Sequence, residues 1–188
     1  MQPHRIASKA AVPFLCLIAL IAGADAPAIN ADWHEGDRAR FADLEGKPAP
    51  VLAVQDWLNS KEMKLADLKG KVVLLDFWAT WCGPCIAAIP KTNALMEKYG
   101  KDGLVIIGVC NTRGAEKMAA MAKDKGIAYP IVADIGGKTD AAYKVDSYPD
   151  YCFIDRAGNV RIGDCKNGNV EDAIKALLAE PAEVAAAK

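Results

Sequence analysis

A nearly unbroken apolar run, Lys71-Val72-Val73-Leu74-Leu75-Asp76-Phe77-Trp78-Ala79, leads through Thr80-Trp81 into Cys82-Gly83-Pro84-Cys85, and helical spacing follows from Ile86 to Tyr99. Apolar character without alternation marks a strand covered on both faces. Such a strand needs helices above and below it, which restricts the chain to layered α/β architectures. Two cysteines thereby fall where a buried strand ends and a helix begins.

The remaining pattern agrees. Leu104 to Val109 reads as a second buried strand, Ala115 to Lys125 as a helix closed by Gly126, Tyr129 to Ala133 as a short strand, and Thr139 to Val145 as a helix. Tyr151 to Asp155 and Val160 to Gly163 are strands joined by the turn Arg156-Ala157-Gly158-Asn159, and Val170 to Leu178 is the last helix. Upstream, Val51 to Leu58 is a short strand pairing as a hairpin with Met63 to Leu65, and Leu65 to Gly70 is a helical turn. From the apolar run onward the order β-α-β-α-β-α-β-β-α predicts an α/β fold: a mixed, partly parallel sheet flanked by helices on both faces, with an antiparallel edge from the final hairpin. The domain is expected to span 44–180, after a linker or loosely attached helix over 25–43 whose His34 is solvated, and before a fraying tail over 181–188.

The compartment follows from the first residues. His4, Arg5 and Lys9 precede an apolar run from about Ala10 to Ala22, and Ala22-Gly23-Ala24 offers an A-x-A site with cleavage before Asp25. Residues 1–24 therefore read as a signal peptide that takes Cys16 with it. The run is short for a bilayer span of about 20 residues, which favours cleavage over an anchor, although an uncleaved leader would tether the protein to the membrane. Export to the periplasm or an equivalent oxidising space follows, where a dithiol needs a source of electrons to stay reduced. Hydrophobic residues make up 52% of the chain, enough for a core that needs no disulfide staples. A net charge of -1 gives no reason to expect nucleic acid or an acidic membrane surface as partner. The cysteines call for chemistry rather than scaffolding.

At a helix N-terminus the unpaired N–H groups and the partial positive charge stabilise a thiolate on Cys82. A low-pKa thiol is both an attacking group near neutral pH and a good leaving group. Cys85, one turn on, can close a small disulfide with Cys82, and Pro84 suits the first turn because no N–H is needed there. Zinc would require a second ligand pair, whereas Cys110, Cys152 and Cys165 are singletons; haem attachment would require histidine where Ile86 stands. No metal site and no cofactor are read from the chain.

The segment Asp76-Phe77-Trp78-Ala79-Thr80-Trp81-Cys82-Gly83-Pro84-Cys85, with Pro90 five residues beyond, resembles the active site of the thioredoxin superfamily. From Gly46-Lys47-Pro48-Ala49-Pro50, through a strand and helix inserted between Leu104–Cys110 and Tyr148-Pro149, to Phe153-Ile154-Asp155-Arg156-Ala157-Gly158, the pattern is similar to the exported TlpA/ResA branch. The resemblance covers about Leu44 to Leu178. It implies a thioredoxin-like fold and a disulfide reductase of cytochrome c maturation or general thiol repair. Protein or small-molecule disulfides would be its substrates and a membrane or periplasmic thiol its electron donor. It makes Pro149 a cis-proline, Asp76 a buried acid that takes the proton of Cys85, and Trp81, Gly83, Pro84, Tyr148 and Pro149 the substrate surface; Pro90 kinks the helix. Two positions depart from the pattern. Asp150 stands where threonine is usual, and its charge is expected to disfavour the Cys82 thiolate; Ala88 replaces a glutamate.

Cys165 is expected near Asp150 and diagonal to Cys152, close enough to bridge to it or to serve the dithiol as a third redox thiol; otherwise Cys110, Cys152 and Cys165 are small buried residues. A peroxidase would carry threonine and proline where Ala79 and Leu75 stand. A copper-handling or assembly chaperone of the same fold would favour CxxxC and a distal histidine, whereas His4 and His34 both precede the expected domain. A redox-inert partner-binding module has no need of so complete a dithiol segment.

Overall fold

Every residue of Val72–Trp78 is buried, and this strand (β2) lies between two cores. The computed structural model describes residues 29–181; the leader, its cleavage site, Cys16 and the tail beyond Pro181 lie outside them. Among the described residues, β1 (Val54–Leu58), β2, β3 (Leu104–Cys110), β4 (Ile131–Asp134), β5 (Asp150–Ile154) and β6 (Val160–Ile162) form one sheet in the order β1-β4-β3-β2-β5-β6. The helices are α1 (Gly83–Tyr99), α2 (Met118–Lys125), α3 (Lys138–Tyr143) and α4 (Val170–Ala179). β2, β3 and β4 are parallel, while β1, β5 and β6 each run antiparallel to the strand they join. This is the mixed, doubly covered sheet that the element order predicts.

Alternation along β2 divides the interior. Val72, Leu74 and Trp78 face α1, α2 and α4, whereas Val73, Leu75 and Phe77 face Tyr143 of α3 together with Phe41 and Leu44. Helix α1 fits the first face because Cys85, Ile89, Thr92, Leu95 and Tyr99 recur at three- and four-residue spacing and are all buried.

Three local expectations differ from the structure. Met63 to Leu65 does not pair with β1; a 3-10 turn begins at Leu65, and β1 instead joins β4, Val54 opposite Asp134, with a register break between Gln55 and Leu58. Ala115–Lys117 is a 3-10 turn, and α2 begins only at Met118. The third concerns the segment expected as a linker. From residue 29 it packs onto the sheet: Phe41 is fully buried, and His34 is 3% exposed and hydrogen-bonded to Glu45 rather than solvated. Phe41 lies so close to Gly163 that no side chain fits there. Burying one phenylalanine contributes about 1.5–3 kcal/mol, enough to hold such a segment in place.

Candidate active site

Because β2, β3 and β4 are parallel, their carboxyl ends share one rim of the sheet, the usual place for a site in such folds. Strand β5 begins at that rim, since Asp150 pairs with Phe77 near the end of β2. The rim therefore gathers the β2–α1 junction, residues 111–114 after β3, residues 135–137 after β4, and the cis Tyr148–Pro149 bond that leads into β5.

Cys82 is the N-cap of α1, in extended backbone geometry, and its Sγ accepts the Cys85 N–H at 3.2 Å. The two cysteines form a disulfide with Cα atoms 5.3 Å apart. Both are nearly buried, whereas Gly83 and Pro84 are exposed and Trp81 is 47% exposed. A largely covered sulfur pair thus lies under an accessible rim of indole, glycine and proline.

Trp81 is fastened from the side of β3. Its Nε1 donates to the Arg113 carbonyl at 2.8 Å, the Arg113 guanidinium lies 4.3 Å from its ring centroid, and the Tyr148 ring meets it edge-on at 5.6 Å. The Tyr148 hydroxyl accepts from Asn111 Nδ2 at 2.8 Å and donates to Asp140 Oδ2. The Thr80 hydroxyl donates to the Gly114 carbonyl at 2.9 Å. Asn111, Arg113 and Asp140 were not expected at the site. No local motif marks them, because their contacts depend on β3 and β4 lying beside β2.

Asp76 points to the same core as Leu74 and Trp78, which also holds Cys82 and Cys85. It is 4% exposed, and burial raises its carboxyl to about 7, against hydrogen bonds from Tyr129 and Thr92 that pull it down. Gly108 stands opposite Asp76 on β3. A Cβ there would come within 2.9 Å of Ile131 Cγ2 and 3.0 Å of Tyr129 Cε2, so the absence of a side chain lets the Tyr129 ring approach the acid. Gly108→Ala is expected to lower stability by about 1–3 kcal/mol through overpacking, seen as a lower urea midpoint; an unchanged midpoint would show that the ring has room to move.

Cys110, Cys152 and Cys165 are free and buried. Cys165 lies in the core beside β2 that contains the disulfide, whereas Cys152 lies in the opposite one, so the two are not placed to bridge. Bends at Gly163 and Asp164 carry Cys165 away from the face that simple register predicts. Burial pushes the Cys110 and Cys165 thiols up to about 12 and raises Cys152 as well, which favours their role as small core residues. Alkylating the reduced native protein at neutral pH should label Cys82 first and these three only after denaturation, as read by peptide mass mapping.

Asp150 also differs from expectation. Tyr151 and Phe153 face the disulfide-side core and Cys152 and Ile154 the other, so alternation turns Asp150 away from Cys82. Burial, then the neighbouring Asp164 and Asp146, raises its carboxyl, which further limits any negative influence on the thiolate. A separate cleft of about 640 Å³ lies at the opposite end of β5, lined by Pro48, Asp155, Arg156 and Arg161 among others, and takes no part in this site.

The model of the AhpC/TSA family matches residues 45–162. The thiol-disulfide oxidoreductase ResA of Bacillus anthracis is 38% identical over 124 residues, 64% of this chain and 71% of that protein. ResA of a Bacillus cereus strain is 34% identical over 152 residues, 80% of this chain and 87% of its own. The solved structure of the thioredoxin-like superfamily protein SPOA0173 superposes with a TM-score of 0.64 at 27% identity, covering 71% of this chain and 97% of that one.

Proposed function

The chain belongs to the AhpC/TSA family and is a thiol-disulfide oxidoreductase related to the ResA proteins, and from that footing we propose that it is an exported reductase working through Cys82 and Cys85. The observation that carries this is the bonded pair itself, with Cys82 capping α1. In the reduced protein, the Cys82 thiolate attacks one sulfur of a substrate disulfide and the other sulfur departs as a thiolate. The Cys85 thiol then gives its proton to Asp76 and attacks Cys82 Sγ; the second substrate sulfur leaves and takes up a proton. Two electrons have passed to the substrate, and the Cys82–Cys85 disulfide remains. An acid raised to about 7 is suited to accept a proton near neutral pH.

Trp81, Gly83, Pro84, Tyr148 and Pro149 form the docking surface for protein or small-molecule disulfides, in cytochrome c maturation or general thiol repair. A membrane or periplasmic thiol restores the dithiol. Among the described residues no helix is long and apolar enough to cross a membrane; export rests on the basic, apolar and small-residue succession that ends at Ala24. Periplasmic material whose first residue is Asp25 would support cleavage, and a retained leader would show a tether instead.

The direction of electron flow is tested by equilibrating the dithiol with glutathione. The Gly-Pro pair between the cysteines resembles the reducing members, so a potential nearer about -270 mV than about -120 mV is expected. A value at the oxidising end would reverse the assignment. Cys85→Ser should trap substrates as mixed disulfides on Cys82, and their identification by mass spectrometry separates cytochrome c maturation from general repair.

A further inference from the structure

The face of β5 turned away from the disulfide carries a second cluster with no part in thiol exchange. Asp146 lies in the loop between α3 and β5, Asp150 opens β5, and Asp164 lies in the bend after β6; one oxygen from each lies within 4.8 Å of the others. Asp150 is 1% exposed, and no donor from outside the cluster reaches either of its carboxylate oxygens, whose one close polar neighbour is the Asp164 carboxyl. Buried carboxyls are ordinarily paired, hydrogen-bonded or bound to metal. Asp164 is 5% exposed, while the Asp146 side chain, 56% exposed, opens the cluster to solvent.

Two other charged groups face this cluster. The Arg40 guanidinium is engaged by Asp146 Oδ2 and the Lys144 carbonyl. Glu35 adds negative charge beside Asp164. Acidic groups outnumber the cation, and the innermost one has only another acid, Asp164, beside it.

We propose that Asp146, Asp150 and Asp164 hold a divalent cation of the calcium class. The ligands are all anionic oxygens, which select hard cations over zinc or copper. Calcium–oxygen distances of about 2.3–2.6 Å allow one ion to touch oxygens as far apart as these. The ion would join the loop before β5 to the bend after β6, and Asp150, which stands where the resembled family has threonine, gains a structural task independent of redox chemistry.

The test uses the full chain stripped with chelator and titrated calorimetrically with Ca²⁺, with Mn²⁺ as a paramagnetic probe. One ion per chain is expected, together with a melting temperature that rises with Ca²⁺ concentration. Asp150→Asn should abolish uptake. Exposed Asp146→Asn, which cannot disturb a core, should weaken it at least about tenfold, so the test stands even if the buried variant fails to fold. Absence of saturable Ca²⁺, Mg²⁺ and Mn²⁺ binding at about 1 mM, the weak end of extracellular calcium modules, would overturn the proposal. Binding unchanged by Asp146→Asn would overturn it equally.

Discussion

Cys82→Ser is expected to reduce catalytic cleavage of insulin disulfides to background, a loss of about 10³-fold or more, while the fold remains. Serine is a good N-cap, so its hydroxyl can accept the Cys85 N–H as the sulfur does now, and α1 keeps its first turn. The loss is therefore chemical: no thiolate stands at the helix terminus to attack. Reduced wild-type protein is the proper stability control, because the variant also lacks the disulfide. Cys85→Ser should instead complete the first attack and stall with substrate bound. Sustained turnover by the Cys82 variant would remove the dithiol mechanism altogether.

Asp76→Asn should alter both stability and kinetics in a pH-dependent way. Burial pushes the native carboxyl up to about 7, well above the ordinary aspartate value of about 3.9. Between these values the folded state holds a proton that the unfolded chain has released, so stability falls as pH rises and levels off above about 7. Asparagine has no such proton, and the variant should gain on the wild type across that window, by up to the order of 4 kcal/mol. Urea unfolding of both oxidised proteins, subtracted at each pH, cancels the other carboxyls. In the reduced enzyme the same change should slow release of the mixed disulfide about 10²-fold while sparing the initial attack. Tyr129→Phe removes a hydrogen bond that holds the acid down, so the pH midpoint of that release should move upward. A release rate independent of pH in wild-type protein would dismiss Asp76 as proton acceptor.

The fold was legible where information is local. The apolar β2 run, the spacing of α1 and the left-handed Gly126 after α2 depend only on near neighbours. Cys82 and Cys85 were legible for the same reason, lying at the junction of two readable elements. Long-range pairing was not. Nothing near Val54 indicates that it lies opposite Asp134, and the burial of Phe41 and His34 depends on the bend around Gly163. Tyr129 meets Asp76 only because Gly108 leaves space between them. The orientation of Asp150 was not legible because the resemblance places that residue after Pro149 without saying which face it takes; alternation along β5 turns the side chain away from the disulfide.

The early segment also settles what becomes of the last strand's outer side. Among the described residues β6 has only β5 as a sheet neighbour, but the Lys47 carbonyl accepts the Val160 N–H, Gly46 N–H donates to the Val160 carbonyl, and isolated bridges join Pro48 to Asn159 and His34 to Cys165. The unpaired rungs that invite another chain to stack are thus occupied from within. A molecule trimmed of this strip would keep its cysteines yet expose a ready template for self-association, so the shielding of this edge depends on residues remote from the sulfur chemistry.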